Sequence, residues 1–232
     1  MGPSPCEEAG LERNSLCEST RIALREGVRL FERGGAASAI YVVQSGLVKE
    51  TIPGPDGGEC IVRLVGRSGV VGLSALVGQF HRHSAFVMQS GSACRIPMAR
   101  LEQVRKADPG ACQRMLADWQ LAADGSDRIV SEFAHGPARA RLARALLHLH
   151  AVPRDDPGFC PRRTDLADLL SITPVSVTRL LGELRREGLI AVGPDHCLVL
   201  SVEKLRRIGY PNAEPSVNGN PGSASPDGPA WA

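Results

Sequence analysis

RRTDLADLLSITPVSVTRLLGELRREGLIAVGPDHCLVL, residues 162–200, is the stretch that decides the fold. Its first half predicts two short helices. Thr164 is placed to cap the first, whose inner face carries Leu166, Ala167 and Leu170. Ser171-Ile172-Thr173 makes a tight turn; Thr173 caps the second helix and Pro174 opens it, the favoured residue at a first helical position. Val177, Leu180, Leu181 and Leu184 recur at the helical period and face inward, leaving Val175, Ser176, Thr178, Arg179 and Gly182 outward. Glu187-Gly188 stops the helix, and GLIAV and HCLVLS flank Gly193-Pro194-Asp195 as a hairpin. Two helices, a tight turn and a β wing make a winged helix-turn-helix.

The outward face carries the chemistry of a DNA reader. A B-DNA major groove is about 12 Å wide and admits one helix. Arg179 can donate two parallel hydrogen bonds to guanine O6 and N7, and Val175 can touch a thymine methyl. Ser176 and Thr178 can reach phosphates or base edges, with Thr164, Thr173 and Arg185 as further contacts. Arg162, Arg163 and Arg186 join Arg185 as cations that position the module on the backbone without reading sequence.

Upstream, ARARLARALLHLHA (138–151) is amphipathic, with Leu142, Leu146 and Leu149 on one face. His135-Gly136-Pro137 is a hinge. Before it, Cys112, Met115, Trp119, Ala122, Ser126, Ile129 and Phe133 alternate at spacings of three and four, a heptad stripe. Asp108-Pro109 is a helix start, so a helix of roughly 35–40 Å is expected, suited to pairing with its own copy. Residues 21–107 read as β. The runs AIYVV, LVKETI, ECIVRLV, VVGLSALV, SAFVMQ and ACRIP are separated by turn residues, QSG and PGPDGG among them. Asp56-Gly57-Gly58 marks a hairpin, and Gly46, Gly69 and Gly72 fall where the chain turns or is approached closely.

Charge agrees with this division. Residues 137–209 hold 12 basic and 8 acidic side chains, against 15 of each in residues 1–136. The excess lies in the segment where a polyanion would dock. Residues 210–232 hold no base, five prolines and three glycines, and are expected to be disordered. No apolar run approaches the roughly 18–20 residues of a membrane span, and the acid-bearing first twenty residues lack the apolar block of a leader. A cytoplasmic location with reduced cysteines follows as the expectation.

Three segments carry a resemblance to the Crp/Fnr family of bacterial transcription regulators, over about residues 20–209. DLADLLSITPVSVTRLLGELRREGLI resembles the family's DNA-binding signature, and LFERGGAASAIYVVQSGLVK the first strands of its cyclic-nucleotide-binding-like β-roll. GVVGLSALVGQFHRHSAFVMQSGSACRIP resembles its ligand-pocket segment. The resemblance implies an α+β fold: an amino-terminal arm (1–20), a double-stranded β-roll sensor of jelly-roll type (21–107), a long dimerisation helix (108–135), a winged helix-turn-helix (136–209) and a tail (210–232). It also implies a homodimer on palindromic promoter DNA, with RNA polymerase as a partner. The pairing stripe would be Met115, Trp119, Ala122, Ser126, Ile129 and Phe133, and the effector pocket would include Gly72, Leu73, Ser74, His83 and Ser84.

Departures from the family pattern bear on the signal. Members that bind cyclic AMP place a glutamate after the pocket glycine, for the ribose, and an arginine about ten residues on, for the phosphate. Here those positions read Leu73 and His83. Leucine accepts no hydrogen bond and a neutral imidazole replaces a guanidinium fork poorly. Arg82 is adjacent, but on a strand it would face the other way. Cyclic AMP is therefore not the expected effector. Iron–sulfur members use a tight amino-terminal cysteine cluster; Cys6 and Cys17 are too widely spaced for it, although Cys60 and Cys94 lie in the β region. His81, His83 and His135 are the haem-ligand candidates, a cysteine redox switch is a further option, and a regulator without effector is another. No nucleophile–base pair, metal-binding histidine cluster or phosphate-binding glycine loop points to an enzyme.

Overall fold

A computed structural model describes residues 21–55, 57–107, 110–152, 159–193 and 197–211. The arm, Cys6, Cys17, Asp56, the Asp108-Pro109 start, the Pro194-Asp195 tip and residues 212–232 lie outside them.

The amino-terminal half is a sheet built on two long strands, β3 (Ala39–Pro53) and β6 (Ser84–Pro97). They pair antiparallel along almost their whole length. β1 (Arg21–Leu24) and β2 (Arg29–Phe31) pair with β6, while β4 (Glu59–Val65) and β5 (Val70–Val71) pair with β3. The sequence reading broke both long strands into shorter ones. QSG is not a turn: β3 runs through it, with register shifts between Val43 and Val48 that bend the pair. Gly46 (φ +87°) and Gly91 make the bend possible. A Cβ at Gly91 would collide with the Ser45 carbonyl, and one at Gly46 would stand 2.6 Å from the carbonyl oxygen of Gln89. Only glycines let the backbones cross so closely. VVGLSALV is likewise not a strand beyond Val71; Leu73–Leu76 is a 3-10 turn. Two apolar clusters fill the roll, one around Val43, Val48 and Val87, the other around Ile40, Val42 and Ile96.

The β reading also ran too far. Met98–Ala107 is a helix, α1, which buries Leu101 against the roll. Helix α2 (Gly110–Phe133) follows. Its stripe does not face one way. Met115 and Ala122 pack on the roll cluster, and Ile129 and Phe133 are buried in the carboxy-terminal core. Those last two are thus not on a free face. Among the described residues, the large apolar side chains of α2 left in solvent are Leu116, Trp119, Leu121 and Val130, at 70%, 38%, 69% and 59% exposure. Leu121 stands apart, while Leu116, Trp119 and Val130 trace, with Ala123 and Ser126, a heptad stripe one position round the helix.

Past a hinge at Gly136 (φ +88°), α3 (Ala138–Ala151) buries Leu142, Leu146 and Leu149 as expected. Helix α4 (Arg163–Leu170), α5 (Pro174–Arg186), the hairpin β7 (Ile190–Val192) and β8 (Cys197–Val199), and α6 (Val202–Gly209) complete the second half. Helix α6 was not anticipated; Ser201 caps it and Leu205 is its buried anchor. Arg144 binds the hinge together, donating to the carbonyls of Glu132, His135 and Gly209. Tyr210 closes the ring of contacts with a 2.9 Å hydrogen bond to the Glu132 carboxylate.

The halves share one core. Leu47, Ile61 and Met88 of the roll lie in the same cluster as the helices of the carboxy-terminal half. Lys49 on β3 donates at 2.6 Å to Asp165 on α4, a pair only 14% and 9% exposed. Arg162 donates through two nitrogens to Glu26, at 3.1 and 2.8 Å.

Candidate nucleic-acid interface and ligand cavity

Helix α5 starts as its sequence dictates. Thr173 Oγ1 accepts from the Ser176 N–H at 3.2 Å, Pro174 occupies the first helical position, and Ser171 takes a left-handed conformation (φ 50°) in the turn before it. Val177, Leu180, Leu181 and Leu184 are buried, so the opposite face is presented to solvent. Val175 is 78% exposed. Thr178 and Arg179 are exposed beside it, and Ser176 is half-exposed.

These polar groups hold provisional partners. Thr178 Oγ1 donates to the Pro174 carbonyl at 2.9 Å, Thr173 Oγ1 donates to Ser176 Oγ at 3.0 Å, and Arg179 donates to Glu183 at 2.6 Å. Each is an exposed contact of the kind that exchanges readily for a base or phosphate. Arg163, Arg185 and Arg186 are exposed around the helix. Two sequence expectations need correction. Thr164 does not cap α4: the cap position is Arg162, with no side-chain bond, and Thr164 stands exposed within the first turn. Arg162 is held by Glu26 of the roll rather than left over for a phosphate.

A cavity of about 320 Å³ lies between the roll and α2. Leu73, Ser74, Val77, Arg82 and His83 line it from the roll, and Trp119, Ala122 and Ser126 from the helix. Its floor is an ion pair that sequence reasoning missed. Glu50, 1% exposed, accepts from Arg63 at 2.6 Å and from the Gly72 N–H at 2.8 Å. The two residues are direct partners across β3 and β4. Of the expected pocket residues, Leu73, Ser74 and His83 line the cavity, while Gly72 serves its floor through Glu50. Ser84 does not belong to it: its Oγ accepts from the Arg33 N–H at 3.1 Å, and it lines a separate cleft with Phe80 and His81.

The expectation that Arg82 faces away fails too. Residues 82 and 83 form a bend ahead of β6, so strand alternation does not apply, and both side chains reach the cavity. Burial holds the His83 imidazole below its ordinary pKa; Glu50 opposes this, and Arg63 and Arg33 reinforce it. His81 stacks on Phe31 with ring centroids 3.7 Å apart, and His135 stands at the hinge beside the Val130 carbonyl. Among the described residues, no group of three or more His, Cys, Asp or Glu side chains is placed to hold a metal ion. The cavity presents the Arg82 guanidinium and the Ser74 hydroxyl beside an apolar wall, a setting for a small polar molecule that would touch α2 directly.

Comparison with known proteins agrees with both halves. Residues 21–108 match the model of the cyclic nucleotide-binding domain, and residues 140–208 that of the Crp-like helix-turn-helix domain. The chain is 22% identical over 213 residues to the fumarate and nitrate reduction regulatory protein of Vibrio cholerae, covering 89% of this chain and 85% of that one. It is 25% identical over 192 residues to the protein of the same name from Escherichia coli K12, covering 80% and 76%. Among solved structures, a CRP-family transcriptional regulator from Thermus thermophilus aligns with TM-score 0.69 at 25% identity, over 81% of this chain and 96% of that one. FixK2 from Bradyrhizobium japonicum aligns with TM-score 0.70 at 22% identity, over 82% and 96%. These relatives are regulators, not enzymes. No helix among the described residues is long and apolar enough to cross a membrane.

Proposed function

The chain belongs to the Crp/Fnr family of transcription regulators, and on that premise we propose that it acts in the cytoplasm as a homodimer reading palindromic promoter sites, with RNA polymerase as its partner there. The observation that carries this reading is the solvent-facing side of α5, where Val175, Ser176, Thr178 and Arg179 stand on a helix fixed by a cap at one end and a buried leucine row behind. Two such helices enter successive major grooves roughly 34 Å apart. The second copy pairs through the exposed stripe of α2, namely Leu116, Trp119, Ala123 and Val130, rather than through Ile129 and Phe133. A domain boundary at Gly136 then lets a signal in the roll reach the DNA-binding half.

The signal is other than cyclic AMP. Leu73 is buried where the family's ribose-binding glutamate stands, and the Glu50 carboxylate is already committed to Arg63 and the Gly72 N–H. Sedimentation of the full chain with a promoter duplex tests both halves. Two chains per duplex are expected, with no change in affinity on adding cyclic AMP. The pair Leu116→Asp and Val130→Asp should give a monomer with at least tenfold weaker DNA binding. A wild-type chain that stays monomeric on DNA would contradict the reading.

A further inference from the structure

Two sets of ion pairs tie the DNA-binding half to the roll, and both land on one edge of α4. Arg162, Asp165 and Asp168 follow at three-residue intervals, so they stand on neighbouring turns of that edge. Lys49 on β3 reaches Asp165 at 2.6 Å and Asp168 at 3.8 Å, and Arg162 reaches Glu26 in the turn between β1 and β2. We propose that this turn is a built-in competitor for DNA: Glu26 occupies the Arg162 guanidinium in the free chain and gives it up to a backbone phosphate of the bound duplex. The proposal deepens the regulator reading above and rests on it.

The two ties differ in the way that such an exchange requires. Lys49–Asp165 is nearly out of solvent, and breaking it strands a charge in the shared core. Arg162 and Glu26 keep 59% and 43% of their side-chain surface in solvent, so an incoming phosphate can reach the guanidinium without the halves separating. Both donors, Nε and Nη2, go to one carboxylate oxygen, Oε1, rather than to two oxygens side by side as in the strongest guanidinium pairs. A duplex phosphate, set among many like it, outcompetes an exposed contact of this kind.

Glu26 is nevertheless firmly presented. Its N–H donates to Ser90 Oγ at 3.1 Å, and the Gly27 N–H donates to the Val87 carbonyl at 2.9 Å, so the turn is pinned to β6. Gly27 holds φ +80°, and a Cβ there would stand 3.6 Å from Arg162 Nη2, which places the guanidinium against the turn itself. On the other side Arg162 leads straight into α4 without capping it, and Arg163 and Thr164 are exposed next to it. The first helix of a helix-turn-helix crosses the DNA backbone, so its start is where a phosphate arrives. A carboxylate held there raises the threshold for every duplex alike, because phosphates carry no sequence.

The test uses the full chain and an inverted-repeat duplex selected from a random-sequence library. Glu26→Gln should bind that duplex about threefold to tenfold more tightly, because two exposed pairs per dimer no longer have to be broken, and Glu26→Ala should behave alike. Arg162→Gln should flatten the dependence of log affinity on log salt by about 1.8 per dimer, roughly 0.9 for each lost phosphate contact. Added to Arg162→Gln, the Glu26→Gln change should have no further effect. Equal tightening by Glu26→Gln with and without Arg162 would trace the gain to a general loss of negative charge and overturn the proposal. An unchanged or weaker affinity of Glu26→Gln, or an unchanged salt slope in Arg162→Gln, would make the pair a mere strut between the halves and overturn it too. Each of these results leaves the DNA-binding reading standing, whereas a wild-type chain that selects no duplex at all would sink that reading and the proposal together.

Discussion

In the proposed reading, Arg179 is the side chain on which base recognition turns. Its exposed pair with Glu183 is worth at most about 1 kcal/mol, so exchanging it for a guanine edge costs little. Arg179→Ala should weaken binding by about 1–3 kcal/mol and relax selectivity at one base pair, read by competition among duplexes that vary one position at a time. The residues around it were legible because their signals are local: a cap, a proline at the first position and a leucine row at the helical period. Thr164 was misread for the same reason. Its side chain suits a cap, but the chain enters α4 at Arg162, whose side chain caps nothing and pairs instead with Glu26. Glu50 and Arg63 were not legible at all. Counting back from the hairpin pairs Glu50 with Val62, and only the register shift between Glu50 and Thr51 brings Arg63 opposite.

At the level of elements, period was readable and direction was not. The heptad of α2 exists in two registers that share Trp119 and Ser126, and spacing alone does not say which one the chain's own roll covers. Strand ends were misread because QSG looks like a turn when its glycine instead serves a crossing of backbones. Contacts between elements far apart in sequence left no signal, and the Lys49–Asp165 pair is the chief example. Asp165→Asn removes a nearly buried partner from Lys49, with Asp168 at 3.8 Å as a nearby replacement. Loss of a buried partner costs about 3 kcal/mol or more, less what Asp168 recovers. Denaturant unfolding should show that loss. A Lys49→Met and Asp165→Leu double variant should regain most of it, because no lone charge then remains in the shared core.

Across the whole molecule, the roll, α2 and the DNA-binding half meet at a second cavity of about 270 Å³, lined by Arg67, Asp118, Gly125 and His148. His148 packs edge-on against Phe133, and burial, with help from Arg128, holds its imidazole below the ordinary value of 6.5 despite Glu132. Above that value the folded and unfolded chains both keep it neutral. As pH falls through 6.5, the unfolded chain takes up the proton first, so stability is lost toward acid, by at most about 1.4 kcal/mol per pH unit. Melting temperature should therefore drop between pH 7 and pH 5.5, and His148→Gln should flatten that part of the profile. The order of the two halves was readable, since each is written in its own period. The way they lock together was not, because the lock is made of Lys49, Asp165, Leu47 and Met88, which lie far apart along the chain.

The most direct test of the central claim is selection of duplexes from a random-sequence library by the full, reduced chain. Enrichment of an inverted repeat is expected, its half-sites one helical turn apart, roughly 34–36 Å centre to centre, with the preference lost at one position of each half-site in Arg179→Ala. A library that emerges without any enriched motif, or with a lone half-site bound by one chain, would contradict it.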